Sequence, residues 1–179
     1  MKINSATQMK NFPEAASELG GDAVAEISDA LRKALADVFA LYLKTKNFHW
    51  HMSGKHFRDY HLLLDEHGNQ IFAMTYNIAE RARKIGGTTL HSISDISRHQ
   101  RLKDNNAAFV TPEDMLSELR ADNQDVTRSL RSIHELCERG GDVATAGLIE
   151  NWIDDSERSN WFLSKIVTER LAAVEDGNT

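Results

Sequence analysis

Three glycine pairs, Gly20-Gly21, Gly86-Gly87 and Gly140-Gly141, cut an almost proline-free chain into long stretches, and that spacing limits most strongly what the chain can fold into. Glycine and proline are the main breakers of regular structure, yet 179 residues hold only ten glycines and two prolines. Between the pairs, apolar residues recur at helical intervals. Val24, Ile27, Leu31, Leu35, Val38, Leu41 and Tyr42 step by threes and fours toward Met52, which predicts an amphipathic helix capped by Asp22. A second helix is expected from about His56 to Ile85, closing at Gly86-Gly87, where glycine can take the left-handed conformation. Thr111-Pro112-Glu113-Asp114 reads as a helix start: a cap, a proline at the first helical position and two acids against the helix dipole. That helix should reach Arg139. Asp142 then caps a last helix through Trp152 and Trp161 to about Val174. Between Thr88 and Val110 the period fails, and a short helical piece from Ile93 to Gln100 is all that is expected.

The pattern is all-α: four long helices with a short first turn, a long crossover holding a short extra helix between the second and third, and a short last turn. This is the connectivity of a ferritin-like four-helix bundle. The length suits one domain. Residues 1–21, small and polar, read as an N-terminal arm, residues 22–174 as the bundle, and residues 175–179 as a C-terminal tail.

A net charge of −6 disfavours nucleic acid and anionic lipid as partners of the folded body and favours divalent cations. The one cysteine, Cys137, lies in a helical context and has no internal partner, as expected in a reducing cytosol. No apolar run nears the roughly 18 residues of a membrane span, and MKINSATQMKNF lacks the apolar core of a signal peptide. A cytoplasmic protein is expected.

Five of the eight histidines, His49, His51, His56, His61 and His67, crowd into one short segment. On the second helix His61 and Asp65 stand one turn apart, as do Tyr76 and Glu80, and all four share a face. Asp65 and Tyr76 are too distant to hold one ion, about 16 Å at the helical rise. The four positions are nevertheless symmetric about the gap between Gln70 and Ile71. Two copies packed antiparallel across a two-fold axis there would set His61 and Asp65 of one chain against Tyr76 and Glu80 of the other, making two shared sites. His49, ending the first helix, could add a third donor. Such a mixed imidazole and carboxylate set suits iron, and also zinc or manganese; a solvated polar face is the plainer reading. No acidic residue stands three before any histidine, so the Glu-x-x-His pair of di-iron centres inside one bundle is missing.

The stretch from Lys46 to Gly87, KNFHWHMSGKHFRDYHLLLDEHGNQIFAMTYNIAERARKIGG, closely resembles the Dps family of mini-ferritins, and IENWIDDSERSNWFL resembles that family's last helix. The resemblance implies a hollow dodecamer that oxidises Fe(II), preferentially with hydrogen peroxide, and stores the ferric mineral. It places His49, His61, Asp65 and Glu80 among the ferroxidase ligands. At the fifth ligand position, where the family usually has Asp, this chain has Tyr76. A neutral phenol is a poorer ligand for Fe(II) than a carboxylate, although a phenolate binds Fe(III) well, so a weakened centre is expected. The resemblance also relates Asp122, Asp125 and Asp142 to the region lining ion-entry pores; a solvated face or helix capping accounts for them equally. Trp50 reads as a packed interface aromatic or a redox-active neighbour, and His51, His56 and His67 as surface histidines rather than as further donors.

Family members that bind DNA directly often do so through a lysine-rich arm. Here Lys2 and Lys10 are balanced by Glu14 and Glu18, so direct DNA binding is the less favoured reading and protection by removing peroxide and Fe(II) the more favoured. The alternative is a nucleoid-associated, DNA-binding cage with reduced or lost ferroxidase activity. A haem-binding cage is weaker still, for want of a well-placed methionine.

Overall fold

Helix boundaries fall within a residue or two of the breakers in the sequence. The computed structural model describes residues 18–176. It contains α1 (Gly21–His51), α2 (Phe57–Lys84), α3 (Ile93–His99), α4 (Pro112–Gly140) and α5 (Val143–Asp176), with no strand among the described residues. Gly86 and Gly141 carry the positive φ angles, 95° and 75°, that close α2 and α4. At the start of α4 the Thr111 hydroxyl accepts from the Asp114 amide at 3.2 Å, with Pro112 as the first helical residue. Asp142 likewise accepts from the Thr145 amide at 3.0 Å and caps α5.

Two boundaries depart from the sequence reading. Asp22 does not cap α1: Gly20 does, without a side-chain bond, and Asp22 sits in the first turn, where its charge still meets the helix dipole. At the other end α5 runs past Val174 to Asp176, into the expected tail. Residues 1–17 of the expected arm, and residues 177–179 of the tail, lie outside the described residues.

Each long helix runs antiparallel to its neighbours. His49 lies against His61 and Lys46 against Asp65 between α1 and α2, and Arg131 meets Glu157 between α4 and α5. Between them Ile27, Leu31, Leu41 and Phe48 of α1 share the core with Leu64 and Ile78 of α2, Leu116, Leu119 and Leu130 of α4, and Ile149 and Leu163 of α5. All are essentially sealed from water, and each contributes about 1.5–3 kcal/mol over its exposed state. The crossover is pinned by Arg101. Its guanidinium reaches buried Asp37 of α1 and the Ser129 hydroxyl of α4, and its backbone amide donates to the same aspartate. Lys44 of α1, almost fully buried, lies 2.7 Å from both Glu118 and Asp122 of α4. Burial alone would lower its pKa, but the two carboxylates outweigh this and hold the ammonium charged.

Candidate metal centre

The short turn after α1 folds α2 back along it, so that His49, near the end of one helix, meets His61, one turn into the next. Their rings stack with centroids 3.7 Å apart and planes 20° from parallel. Nδ1 of His49 lies 2.8 Å from the carbonyl oxygen of His61, and Nδ1 of His61 lies 3.0 Å from the carbonyl oxygen of His49. A carbonyl can only accept, so each Nδ1 must carry the hydrogen, and in the neutral ring the lone pair is left on Nε2. Backbone hydrogen bonds of this kind orient metal-binding imidazoles in known sites. Phe57 packs beside the His61 ring at 5.0 Å and limits its swing.

Asp65 stands one turn beyond His61, and its Oδ1 lies 2.6 Å from Nζ of Lys46. That hydrogen bond, reinforced by the lysine charge, holds the carboxyl below its ordinary range. The lysine stem crosses Gly68, where a Cβ would sit 2.9 Å from Cε of Lys46. A glycine on α2 therefore leaves Lys46 room to reach Asp65. One carboxylate of the expected ligand set thus already has a counter-ion.

Tyr76 and Glu80 lie on the same uninterrupted helix, about three turns further on. Lys84 Nζ is 2.7 Å from Glu80 Oε2, and this contact, followed by the hydrogen bond from Tyr76, lowers the Glu80 pKa. In return the carboxylate raises the pKa of the Tyr76 phenol and keeps its hydrogen in place. The five expected ligands fall into two groups. His49 and His61 stack at one end of the hairpin with Asp65 one turn beyond, while Tyr76 and Glu80 stand apart. Among the described residues, no three His, Cys, Asp or Glu side chains converge to hold an ion within one chain. The first group, with two lone-pair nitrogens and a carboxylate, fits a transition-metal ion chemically, and iron is among those it suits.

Along α2, Leu62, Phe72 and Tyr76 are exposed, and Leu43 and Trp50 of α1 are also exposed. Trp50 packs into nothing within the chain, being 63% exposed.

His67 departs from the surface reading. It is buried at 3% exposure near Phe162 of α5, and burial drives its pKa down to about 4. His51 is exposed and bonds the Asn47 carbonyl, and His56 is exposed beside Tyr60. Of the acidic residues related to pores, Asp122 is buried against Lys44, Asp125 pairs with Arg128 on its own helix, and Asp142 caps α5 and pairs with Arg81 at 2.6 Å. Lys46 and Gly68 escaped the sequence reading, because their part depends on how two helices meet and no spacing along either encodes it.

A model of the ferritin-like domain matches residues 28–171. The DNA protection during starvation protein of Agrobacterium fabrum is 30% identical over 86% of this chain and 95% of its own length. The DNA protection during starvation protein 1 of Deinococcus radiodurans is 29% identical over 81% of this chain and 70% of its own. Among solved structures, Dps from Thermosynechococcus elongatus superposes with a TM-score of 0.79 at 25% identity, covering 82% of this chain and 92% of that one. With the bundle, the histidine pair and these likenesses together, the chain belongs to the Dps family of ferritin-like DNA-protection proteins.

Proposed function

We propose that this protein is a ferroxidase and iron store. It oxidises Fe(II), preferentially with hydrogen peroxide, at sites shared between subunits, and keeps the ferric mineral inside a hollow dodecamer in the cytoplasm, so protecting DNA. One observation carries the reading: the reciprocal backbone clasp of His49 and His61, which leaves both Nε2 lone pairs free on stacked rings. His51 and His99 also bond backbone carbonyls through Nδ1, but each does so within its own helix, whereas His49 and His61 do so reciprocally between two helices with their rings stacked.

The second group is supplied by another subunit. Reflection about the gap between Gln70 and Ile71 exchanges His61 with Glu80 and Asp65 with Tyr76, and it also exchanges Leu62 with Ala79 and Asn69 with Phe72. The exposed apolar side chains of α2 therefore sit where a two-fold antiparallel packing of this helix would bury them. In such a site the two imidazoles and Asp65 hold Fe(II) from one side and Glu80 from the other. Each peroxide takes two electrons and two protons and leaves as water, so that no hydroxyl radical is released beside DNA. Lys46 on Oδ1 of Asp65 and Lys84 on Oε2 of Glu80 compete with the ion for those carboxylates, each of which has a second oxygen to offer.

Tyr76 and the two lysines favour a second reading, a cage that organises DNA with its iron chemistry attenuated or lost. Anaerobic Fe(II) titration followed by peroxide, alongside a gel shift at low salt, separates the two. Saturable Fe(II) binding and rapid peroxide-driven oxidation are expected. An absence of iron turnover together with clear DNA retardation would reverse the order.

A further inference from the structure

Tyr76 is the one exposed tyrosine of three. Tyr42 packs against Phe72 with centroids 4.9 Å apart and Tyr60 lies beside His56, both part-buried, whereas Tyr76 is 66% exposed on the bare face of α2. Its phenol is hydrogen-bonded to Glu80, one turn on, which is itself paired with Lys84. Beside it opens a hollow of about 500 Å³, lined by Tyr76, Glu80, Arg83, Lys84 and Thr89, and the Thr89 hydroxyl is buried without a hydrogen-bond partner. A phenol hydrogen-bonded to a carboxylate is a poor donor to Fe(II). The smaller, harder Fe(III) ion competes far better for an anionic oxygen, and tyrosinate is an established protein ligand for iron.

We propose that Tyr76 is a ligand for the ferric product, binding Fe(III) through its phenolate oxygen in the shared site and holding it there before it passes to the mineral. The inference rests on the ferroxidase reading above and adds to it a preference between oxidation states. In the step itself an iron–oxygen bond forms and the phenol O–H bond breaks. The proton leaves through the Glu80 carboxylate to solvent, and no electron moves. Oxidation comes earlier, with peroxide as the electron acceptor. The site consequently binds its product more tightly than its substrate, and release of Fe(III) limits turnover.

The assembled full-length protein can be tested with ferric nitrilotriacetate, and in parallel with the gallium(III) complex, a redox-inactive ion of similar size and charge. Fe(III) should produce a visible phenolate-to-iron charge-transfer band, and Ga(III) the ultraviolet difference spectrum of a tyrosinate. Both signals should vanish in Tyr76→Phe and in Tyr76→Asp, while the latter still binds the ions. Either signal persisting at full strength in Tyr76→Phe would assign it to Tyr42 or Tyr60 and overturn the proposal. So would normal peroxide-driven Fe(II) oxidation without either signal in the unsubstituted protein, an outcome that leaves the ferroxidase reading standing. Absence of both iron binding and oxidation would remove that reading and this inference together.

Discussion

The two halves of α2 are built on different plans. Residues 57–70 are tied down on several sides: His61 in its clasp with His49, Asp65 under Lys46, Gly68 beneath the lysine stem, and His67 buried against Phe162. From residue 71 onward the core face is equally well packed, with Ile71, Met74 and Ile78 buried, and Arg81 anchors that half to Asp142 and Thr145 of α5. Its outward residues Tyr76 and Glu80, however, bond to each other and to Lys84, all on the same helix. One group of proposed ligands is thus organised by the chain's tertiary structure, and the other is held only by contacts along its own helix. On the proposed reading, a site divided in this way would be complete only in the assembled protein, and free subunits would not oxidise iron they cannot store.

Acidification should separate the halves most strongly. Burial depresses the His67 pKa from 6.5 to about 4. The unfolded chain therefore takes up a proton as pH falls below the ordinary value, and the folded chain only near the depressed one. The stability contribution is intact at neutral pH and is lost across that window, by about 3 kcal/mol in all. Amide exchange in residues 57–70 should rise before that in residues 71–84, and His67→Gln should flatten the pH dependence of unfolding. An unchanged slope in the variant would mean that another group carries the acid sensitivity.

Removing a donor from the organised half comes next. His49→Ala should weaken zinc or Fe(II) binding by about 100-fold, since loss of a direct donor should cost at least what the loss of an outer-shell partner can. Tyr76→Ala should scarcely change zinc affinity, and equal losses in the two variants would erase the asymmetry. In the other direction, Tyr76→Asp should tighten Fe(II) binding by about tenfold, since a charged acceptor replaces a neutral one, and should speed oxidation in stopped flow. Equal rates and equal Fe(II) affinity would show that the phenol costs nothing. The smallest change is expected from Lys46→Met, which frees Asp65 of a part-buried ion pair and should raise Fe(II) affinity about threefold. Gly68→Ala, which crowds the lysine stem, should act in the same direction. A loss of affinity in both would make Lys46 a support of the site rather than a competitor.

Most of the fold could be read from residue order because its signals are local. Glycine pairs, Thr111-Pro112 and three-four apolar spacing each act within one helix. The pairings of His61 with Asp65 and of Tyr76 with Glu80 were legible for the same reason, both being one-turn relations. The His49 clasp and the Lys46 contact were not, because they are set by the angle and register at which α1 meets α2. His67 is instructive in a different way. It stands three residues after Leu64 and four before Ile71, both buried, so the inward period of α2 runs straight through it. Its ring is polar, but its spacing is that of a core position. Asp122 repeats the lesson, lying three residues past buried Leu119 on the inner face of α4, where Lys44 comes to meet it.

Cys137 has a consequence of its own. The single thiol is fully buried in α4, where burial pushes its pKa up to about 12. Peroxide attacks the thiolate and hardly touches the thiol. A protein whose proposed work is to meet peroxide therefore carries its one oxidisable sulfhydryl in a form the reagent cannot use. Repeated exposure should leave the subunit without sulfenic acid or intersubunit disulfides, and the oxidant free for iron.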